Sequence, residues 1–418
     1  MQKVAFMPFS MPRYHLFIGL VTCCLLSSIR LSPAMDETAV VPISPTTITQ
    51  ASDGSDNKRP FIITATLRQG YDDNIFTNKN NKVGSMTTDI APSILFDFPM
   101  DQTDLSIRIS GGLTYYYERS GDSLDKMAEM VLRYNHSFSE RFNLDLRDRI
   151  GYYSQPDVLN GGGTPFRAGG YINNVATADF TAQWTPLFST VTTYSNSFYD
   201  YQNDAIAAGQ NSDENIGTED FRFAVLPKVN LVFGGIIDNI SYDTAQRGYT
   251  SYTGNVGIDW QALPSLSIGG RVGATVTMPD HLDSSVSPYG SVGVDWRLGA
   301  RSTLNFNYAH NVVPTDVLAA TGQVADRFTL RFSYDVTPSI TVHAQGIITH
   351  SEYTQSLIQA SAAPNFTENV YGIDTGFSYH FNPHFDFEGG YLFSDISSQE
   401  SFRDYTRNQV YLGVRGTY

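Results

Sequence analysis

Arginines and carboxylates recur through this chain at positions whose neighbours alternate between apolar and polar. The arginines are Arg68, Arg108, Arg133, Arg147, Arg149, Arg222, Arg271, Arg297, Arg331 and Arg415. The acids are Asp97, Asp145, Asp259, Asp295, Asp335, Asp374 and Glu388. Charges of both signs on one wetted wall hydrate and orient passing polar solutes. In a dry core each would cost several kcal/mol. No catalytic constellation stands out: the His and Ser residues have no spacing that selects a nucleophile with its base. His380 and His384 lie four apart around Pro383. That spacing pairs metal ligands on a helix, but across a strand turn it does not bring both rings to one site. Asn160, Gly161, Gly162 and Gly163 follow no strand-to-helix pattern, and flexibility explains them. No enzyme activity, metal or cofactor is expected.

The elements that must hold these residues are strands. From Phe61 onward the hydrophobic period is two. Phe328, Leu330, Phe332 and Tyr334 alternate with Thr329, Arg331 and Ser333, and Leu304, Phe306 and Tyr308 with Asn305 and Asn307. Successive strand side chains point to opposite faces. About eighteen such segments follow one another, from 61–76 to 408–418, each long enough for the roughly 9–11 residues of a tilted membrane strand. Their connections alternate short and long. The long ones include 77–85, 156–170, 204–215, 314–324 and 353–369. Short turns on one side and long loops on the other are the pattern of outer-membrane barrels. The expected fold is all-β: a transmembrane, antiparallel, up-and-down barrel of about eighteen strands (16–20) over 60–418. A propeller would repeat a blade motif, and none is present. An Arg on the lipid face near the midplane costs about 2–4 kcal/mol, which places the residues named above on the inner face. Asp148 breaks the alternation between Leu146 and Ile150 and is expected to mark a bulge or a rim position.

Bulk properties agree. Of 418 residues 17% are charged and 13% aromatic, and the formal net charge is -15. A chain this acidic lacks the cationic surface that nucleic-acid binding needs. Lys3 and Arg13, the apolar run 16–26 and Ser32, Pro33 and Ala34 read as a signal peptide over 1–34. The run is short for a membrane span, which needs about 20 residues. Both cysteines, Cys23 and Cys24, fall inside it. Residues 35–59 are polar, without apolar periodicity, and read as a disordered periplasmic tail. With eighteen strands and a long connection first, both termini are expected in the periplasm of a Gram-negative bacterium.

Two short stretches carry more specific signals. At the chain end Val410, Leu412, Val414 and Tyr418 share one face and resemble the C-terminal assembly signal of outer-membrane barrels; Gly416 departs from it. After the first alternating run come Tyr71, Asp72, Asp73, Asn74, Ile75 and Phe76. This stretch resembles the opening strand of the putative β-barrel porin family found with exopolysaccharide operons. The literal match covers about a dozen residues; the rest agrees in its pattern of strands and loops. The resemblance implies an outer-membrane barrel and, more weakly, a role in polysaccharide passage. Physically, Asp72, Asp73 and Asn74 suit an Asx-bonded strand exit. The alternative is a cation site between the acids.

The function these readings imply is passive passage of hydrophilic solutes, or export of a nascent exopolysaccharide. Expected partners are outer-membrane lipid and the barrel assembly machinery. A rim enzyme and a non-conducting anchoring barrel are the alternatives. Loops 156–170, 204–215 and 353–369 are long enough to fold inward and narrow the lumen.

Overall fold

A computed structural model describes residues 60–154, 170–243, 247–353, 365–399 and 403–418. The strands are β1 (Phe61–Asp72), β2 (Ser85–Pro99), β3 (Thr103–Tyr116), β4 (Leu124–Ser139), β5 (Phe142–Tyr153) and β6 (Tyr171–Thr185). Then come β7 (Phe188–Tyr201), β8 (Ser212–Leu226), β9 (Val229–Tyr242), β10 (Tyr249–Leu263), β11 (Leu266–Pro279) and β12 (Ser285–Arg297). The last six are β13 (Ser302–Val313), β14 (Gln323–Thr337), β15 (Ile340–Tyr353), β16 (Phe366–Asn382), β17 (Phe385–Ser398) and β18 (Tyr405–Thr417). One short helix, α1 (Asp204–Gln210), lies between β7 and β8.

Every strand pairs antiparallel with its sequence neighbours, and β1 also pairs with β18, which closes an eighteen-stranded ring. Closure satisfies every edge, the condition for a sheet to stand in lipid. The last bonds of the seam are reciprocal: Ile63 N–H donates to the Tyr418 carbonyl at 3.0 Å, and Tyr418 N–H to Ile63 at 2.9 Å.

The two ends of the ring differ. Short turns, such as 186–187 and 227–228, join alternate strand pairs at one end. All the longer connections lie at the other. Side chains divide between the faces by register. Leu67, Ile90, Ile109, Val272, Leu330, Ile373 and Leu412 are exposed on the outside. Arg68, Arg271, Arg415, Asp374 and Glu388, on the opposite face, are buried. The apolar surface is thus on the outside, as a barrel facing lipid requires.

Three boundaries depart from the sequence reading. β1 ends at Asp72, so Asp73–Phe76 lie in the connection. Residues 204–215 are not one loop: they hold α1 and the start of β8. Asn203 caps α1, its side chain accepting from Ala205 N–H at 3.0 Å. Asp148 marks neither bulge nor rim, because the β5 ladder passes through it without a shift on both sides. It is on the outer face. The segment 1–59 and most of loops 156–170 and 353–369 lie outside the described residues.

Candidate pore and its loop-bearing mouth

The inner wall is built of ion-paired ladders. On β8–β11, Arg222 meets Asp220 at 3.3 Å and Asp259 at 3.5 Å, while Arg271 meets Asp259 at 2.8 Å and Asp220 at 3.4 Å. On β5 and its neighbours, Arg147 meets Asp145 at 2.6 Å and Asp179 at 4.0 Å, and Arg149 lies 3.9 Å from Glu129. Beside the seam, Arg68 pairs with Glu388 and stacks its guanidinium 4.6 Å over the Tyr411 ring. Arg415 reaches Asp386 at 2.7 Å. Asp374 lies 3.6 Å from His343. Arg415 and Asp386 are cross-strand neighbours by register, whereas Arg68 reaches Glu388 across β18 over Gly413, and Arg271 reaches Asp220 across β10 and β9.

Other wall residues point into open space. Arg331, Arg297, Asp97 and Asp335 are exposed although they stand on the inward face. All four lie toward the short-turn end. Arg331 has a weak bond to Gln345 (3.3 Å), Arg297 one to the Pro264 carbonyl (3.2 Å). Asp335 accepts from Thr341 and Asp295 from Asn305. Arg108 and Arg133 lie on adjacent strands, with Arg133 directly opposite Arg147. His380 bonds Asp386 and His384 bonds the Thr417 carbonyl, so the two rings go to different partners.

The other end is packed. Segment 314–322, between β13 and β14, reaches across the mouth and rests on inward side chains of β9, β10, β15 and β16. Two buried arginines pin it. Arg247 donates to the carbonyls of Thr315 (2.9 Å) and Val317 (2.7 Å) and to Gln210 of α1 (3.3 Å), and stacks 4.0 Å from the Tyr242 ring. Arg403, 3% exposed, binds Asp316 through two nitrogens at 2.9 and 3.0 Å and Glu368 at 2.6 and 3.1 Å. Burial alone would lower the Arg403 pKa. The hydrogen bonds and charges of Glu368 and Asp316 more than offset this and hold it above its ordinary value. Gln210 closes the contact by donating to the Asp316 carbonyl at 2.7 Å. Beneath it Ala320 packs on Tyr353 and Phe366, whose rings stack at 4.1 Å.

The sequence reading named 314–324 as a long connection but not as one that folds inward. The missed signal was Val317, Leu318, Ala319 and Ala320, an apolar run in a connection that water alone would not favour. Of the loops expected to fold inward, 204–215 contributes α1 to the mouth.

The acidic strand-exit motif joins the first strand to the last. Asp72, 1% exposed, pairs with Arg407 and also accepts from Asn74 N–H, an Asx turn. Asp73 accepts from the Asn408 backbone at 2.7 Å and side chain at 2.6 Å. Asn74 donates to the Thr406 carbonyl, and Ile75 is fully buried. Tyr71 stays outside. Both carboxylates are thus taken up by β18, and the motif serves the seam. Val410, Leu412, Val414 and Tyr418 all face outward and are exposed.

Among solved structures the chain is similar to OccK2 (OpdF) of Pseudomonas aeruginosa, crystallised with glucuronate: 12% identity, 85% of this chain and 98% of that one, TM-score 0.46. It is similar to a BenF-like porin of Pseudomonas fluorescens Pf-5: 10% identity, 86% and 99%, TM-score 0.45. Acinetobacter baumannii OccAB4 matches at 10% identity, 87% and 99%, with TM-score 0.43. No curated protein matches the chain. A family model described as "Putative beta-barrel porin 2" matches residues 60–418, the whole of the barrel. With its closed ring, apolar exterior and charged inner wall, the chain belongs to that family of porin-like outer-membrane barrels.

Proposed function

We propose that the protein is a water-filled channel through which hydrophilic solutes cross the outer membrane passively, without turnover of substrate. The observation that carries this is the inner wall, where Arg331, Arg297, Asp97 and Asp335 remain exposed inside a closed ring of eighteen strands. Barrels of 16–18 strands are too wide for side chains to fill and leave an aqueous lumen. The short-turn end, with both termini, is assigned to the periplasm, and the mouth with segment 314–322 to the cell surface. Inward Tyr199 and Tyr201, backed by the buried rings of Tyr171 and Tyr153 at centroid distances of 5.3–6.0 Å, offer ring surface to sugars. They support an exopolysaccharide among the solutes. Val410, Leu412, Val414 and Tyr418 are assigned to recognition by the assembly machinery.

Single-channel recording in planar bilayers tests the reading. Steps of ohmic current are expected, with block by added oligosaccharide if sugars are carried. A correctly folded, heat-modifiable protein that stays silent, both as wild type and with segment 314–322 released by Arg403→Ala, would overturn the channel in favour of an anchoring barrel. Hydrolysis of ester or peptide substrates would favour a rim enzyme.

A further inference from the structure

The outer face is not uniform. Over β16–β18 it presents Ile373, Phe377, Phe387, Val410 and Leu412, all exposed. Over β5–β8 the same face carries Asp148, Asn196, Asn215, Thr192 and Glu219. Register sets Asp148, Ala176, Asn196 and Asn215 side by side in one row, and Phe180, Thr192, Glu219 and Gly235 in another. The groups bond to one another. Asn196 donates to Asn215 at 3.1 Å, Tyr194 O–H to Asn215 at 2.6 Å, and Thr192 O–H to Glu219 at 2.6 Å. Asn174 donates to Asp148. Glu219 and Asp148 sit at mid-strand, where the barrel meets hydrocarbon.

Hydrocarbon offers these groups nothing, and polar groups inside a bilayer are tolerated where protein or water covers them. Small residues, Ala176, Ala178, Gly217 and Gly235, leave hollows on this face beside the exposed Tyr194 ring, into which a neighbouring side chain can seat. We infer that the outer face of β5–β9 is an interface, and that its occupant is the same face of a second copy of this chain.

Three observations select that occupant. Asparagine amides carry a donor and an acceptor each, so a face rich in them complements itself across a two-fold axis. A head-to-tail contact would set Glu219 and Asp148 against the rest of the outer wall. Among described strand residues, the cation there is Lys126, third in β4 by the long-loop end, too far toward the rim to meet a mid-strand carboxylate. Two copies inserted in the same sense share an axis along the membrane normal. β8 of one then faces β6 of the other, which keeps each Glu219 away from its counterpart. Area agrees as well. Five strands about 4.8 Å apart across an apolar band about 25 Å tall give roughly 600 Å² per copy, the share a stable interface needs.

Cysteine cross-linking in isolated outer membranes tests this, since the barrel has no cysteine. Gly217→Cys is tolerated sterically, because a Cβ there meets nothing within 4 Å. Thr192→Cys samples the centre of the face, and Ile373→Cys is the control on the far side. Thr192→Cys, on β7 at the axis, and the double variant Gly217→Cys/Ala178→Cys, whose two positions share one row on β8 and β6, are expected to give an oxidant-dependent band at twice the monomer mass, while Ile373→Cys gives none. Wild type in lipid nanodiscs is expected to weigh two copies. A monomeric mass without a cross-link at either site in folded, heat-modifiable protein overturns the inference. So does a three-copy mass, a cross-link to a different protein, or equal linking at Ile373→Cys.

Discussion

The two ends of the lumen use the same side-chain types to opposite effect. At the loop-bearing mouth, Arg403 is 3% exposed and held by four bonds to two carboxylates. On the wall between mid-strand and the short-turn end, Arg331 is exposed with one weak bond to an amide. An ion removed from water must be repaid by partners, whereas a solvated ion needs none. Burial of an inward arginine has two sources, the plug at Arg403 and the ion-paired ladders of the wall at Arg271 and Arg415, and exposure marks the stretches of wall that neither covers. The mouth is a small protein interior, with Ala320, Tyr353 and Phe366 as its core. The other end leaves Arg297, Asp97 and Asp335 exposed, and on the proposed channel reading it is an open vestibule.

The largest effect that follows is at Arg403. Arg403→Ala leaves Glu368, at 1% exposure, and Asp316 beside it without their cation. Breaking one side of such a buried pair costs about 3–5 kcal/mol. The expense falls on segment 314–322, because the barrel ladder does not depend on it. The expected outcome is higher single-channel conductance at unchanged heat-modifiability. Unchanged conductance would mean that the segment does not restrict flow.

The next effect tests the division between the faces on which the comparison rests. Phe306→Arg and Phe332→Arg put a guanidinium on the lipid side, and Asn307→Arg and Ser333→Arg on the inner side, by the β13–β14 register. The first two are expected to lose about 2–4 kcal/mol more than the second two if they lie near the midplane. Urea titration of refolding in lipid vesicles reads the difference. Equal tolerance would show that the inner side is as dry as the outer one.

How much of this was legible beforehand differs between wall and mouth. Strands announced themselves because lipid outside and water inside impose a period of two on every one; Phe328 to Tyr334 is a clear instance. The alternation of short turns and long loops supplied the topology. The mouth obeys no period. Arg403 and Glu368 are 35 residues apart in sequence, Arg247 and Thr315 68, and only the closed ring brings them together. Asp148 misled for a related reason: alternation alone has no place for a carboxylate facing outward.

A smaller effect sharpens the contrast within the mouth itself. Lys79 pairs with Asp404 at its edge, with the Lys79 side chain 50% exposed. Burial would raise the Asp404 pKa, but the Lys79 hydrogen bond and the Ser398 N–H outweigh it and hold it below the ordinary value. A depressed carboxyl contributes stability above its unfolded value, about 3.9, and loses it as pH falls through the lower folded value. With one partner half in water the contribution is below about 1 kcal/mol. Exchange protection of the Ser398 amide, corrected for intrinsic rate, is expected to stay flat from neutral pH to about 5 and to fall only at lower pH. Loss near neutrality would contradict the assignment.

The smallest effect on stability belongs to Arg331, and for that reason it is the sharpest test of the vestibule. Its neighbours across the strands are Asn305 and Gln345, neither of them charged. Nothing buried depends on it, so Arg331→Ala should change stability by within about 0.5 kcal/mol. On the proposed channel reading its charge nevertheless stands in the path of permeating ions. Removing a fixed positive charge from the wall raises the local preference for cations, so the reversal potential under a salt gradient should move in the cation-selective direction. The field of a solvated charge reaches about 10 Å at 0.1 M salt but only about 3 Å at 1 M. The shift should therefore be clear in dilute salt and vanish in concentrated salt. A salt-independent shift would place Arg331 in a dry constriction, where ions pass within contact distance of its guanidinium. A loss of stability on the scale of Arg403→Ala would go further: both ends would then be packed, and the vestibule would not exist.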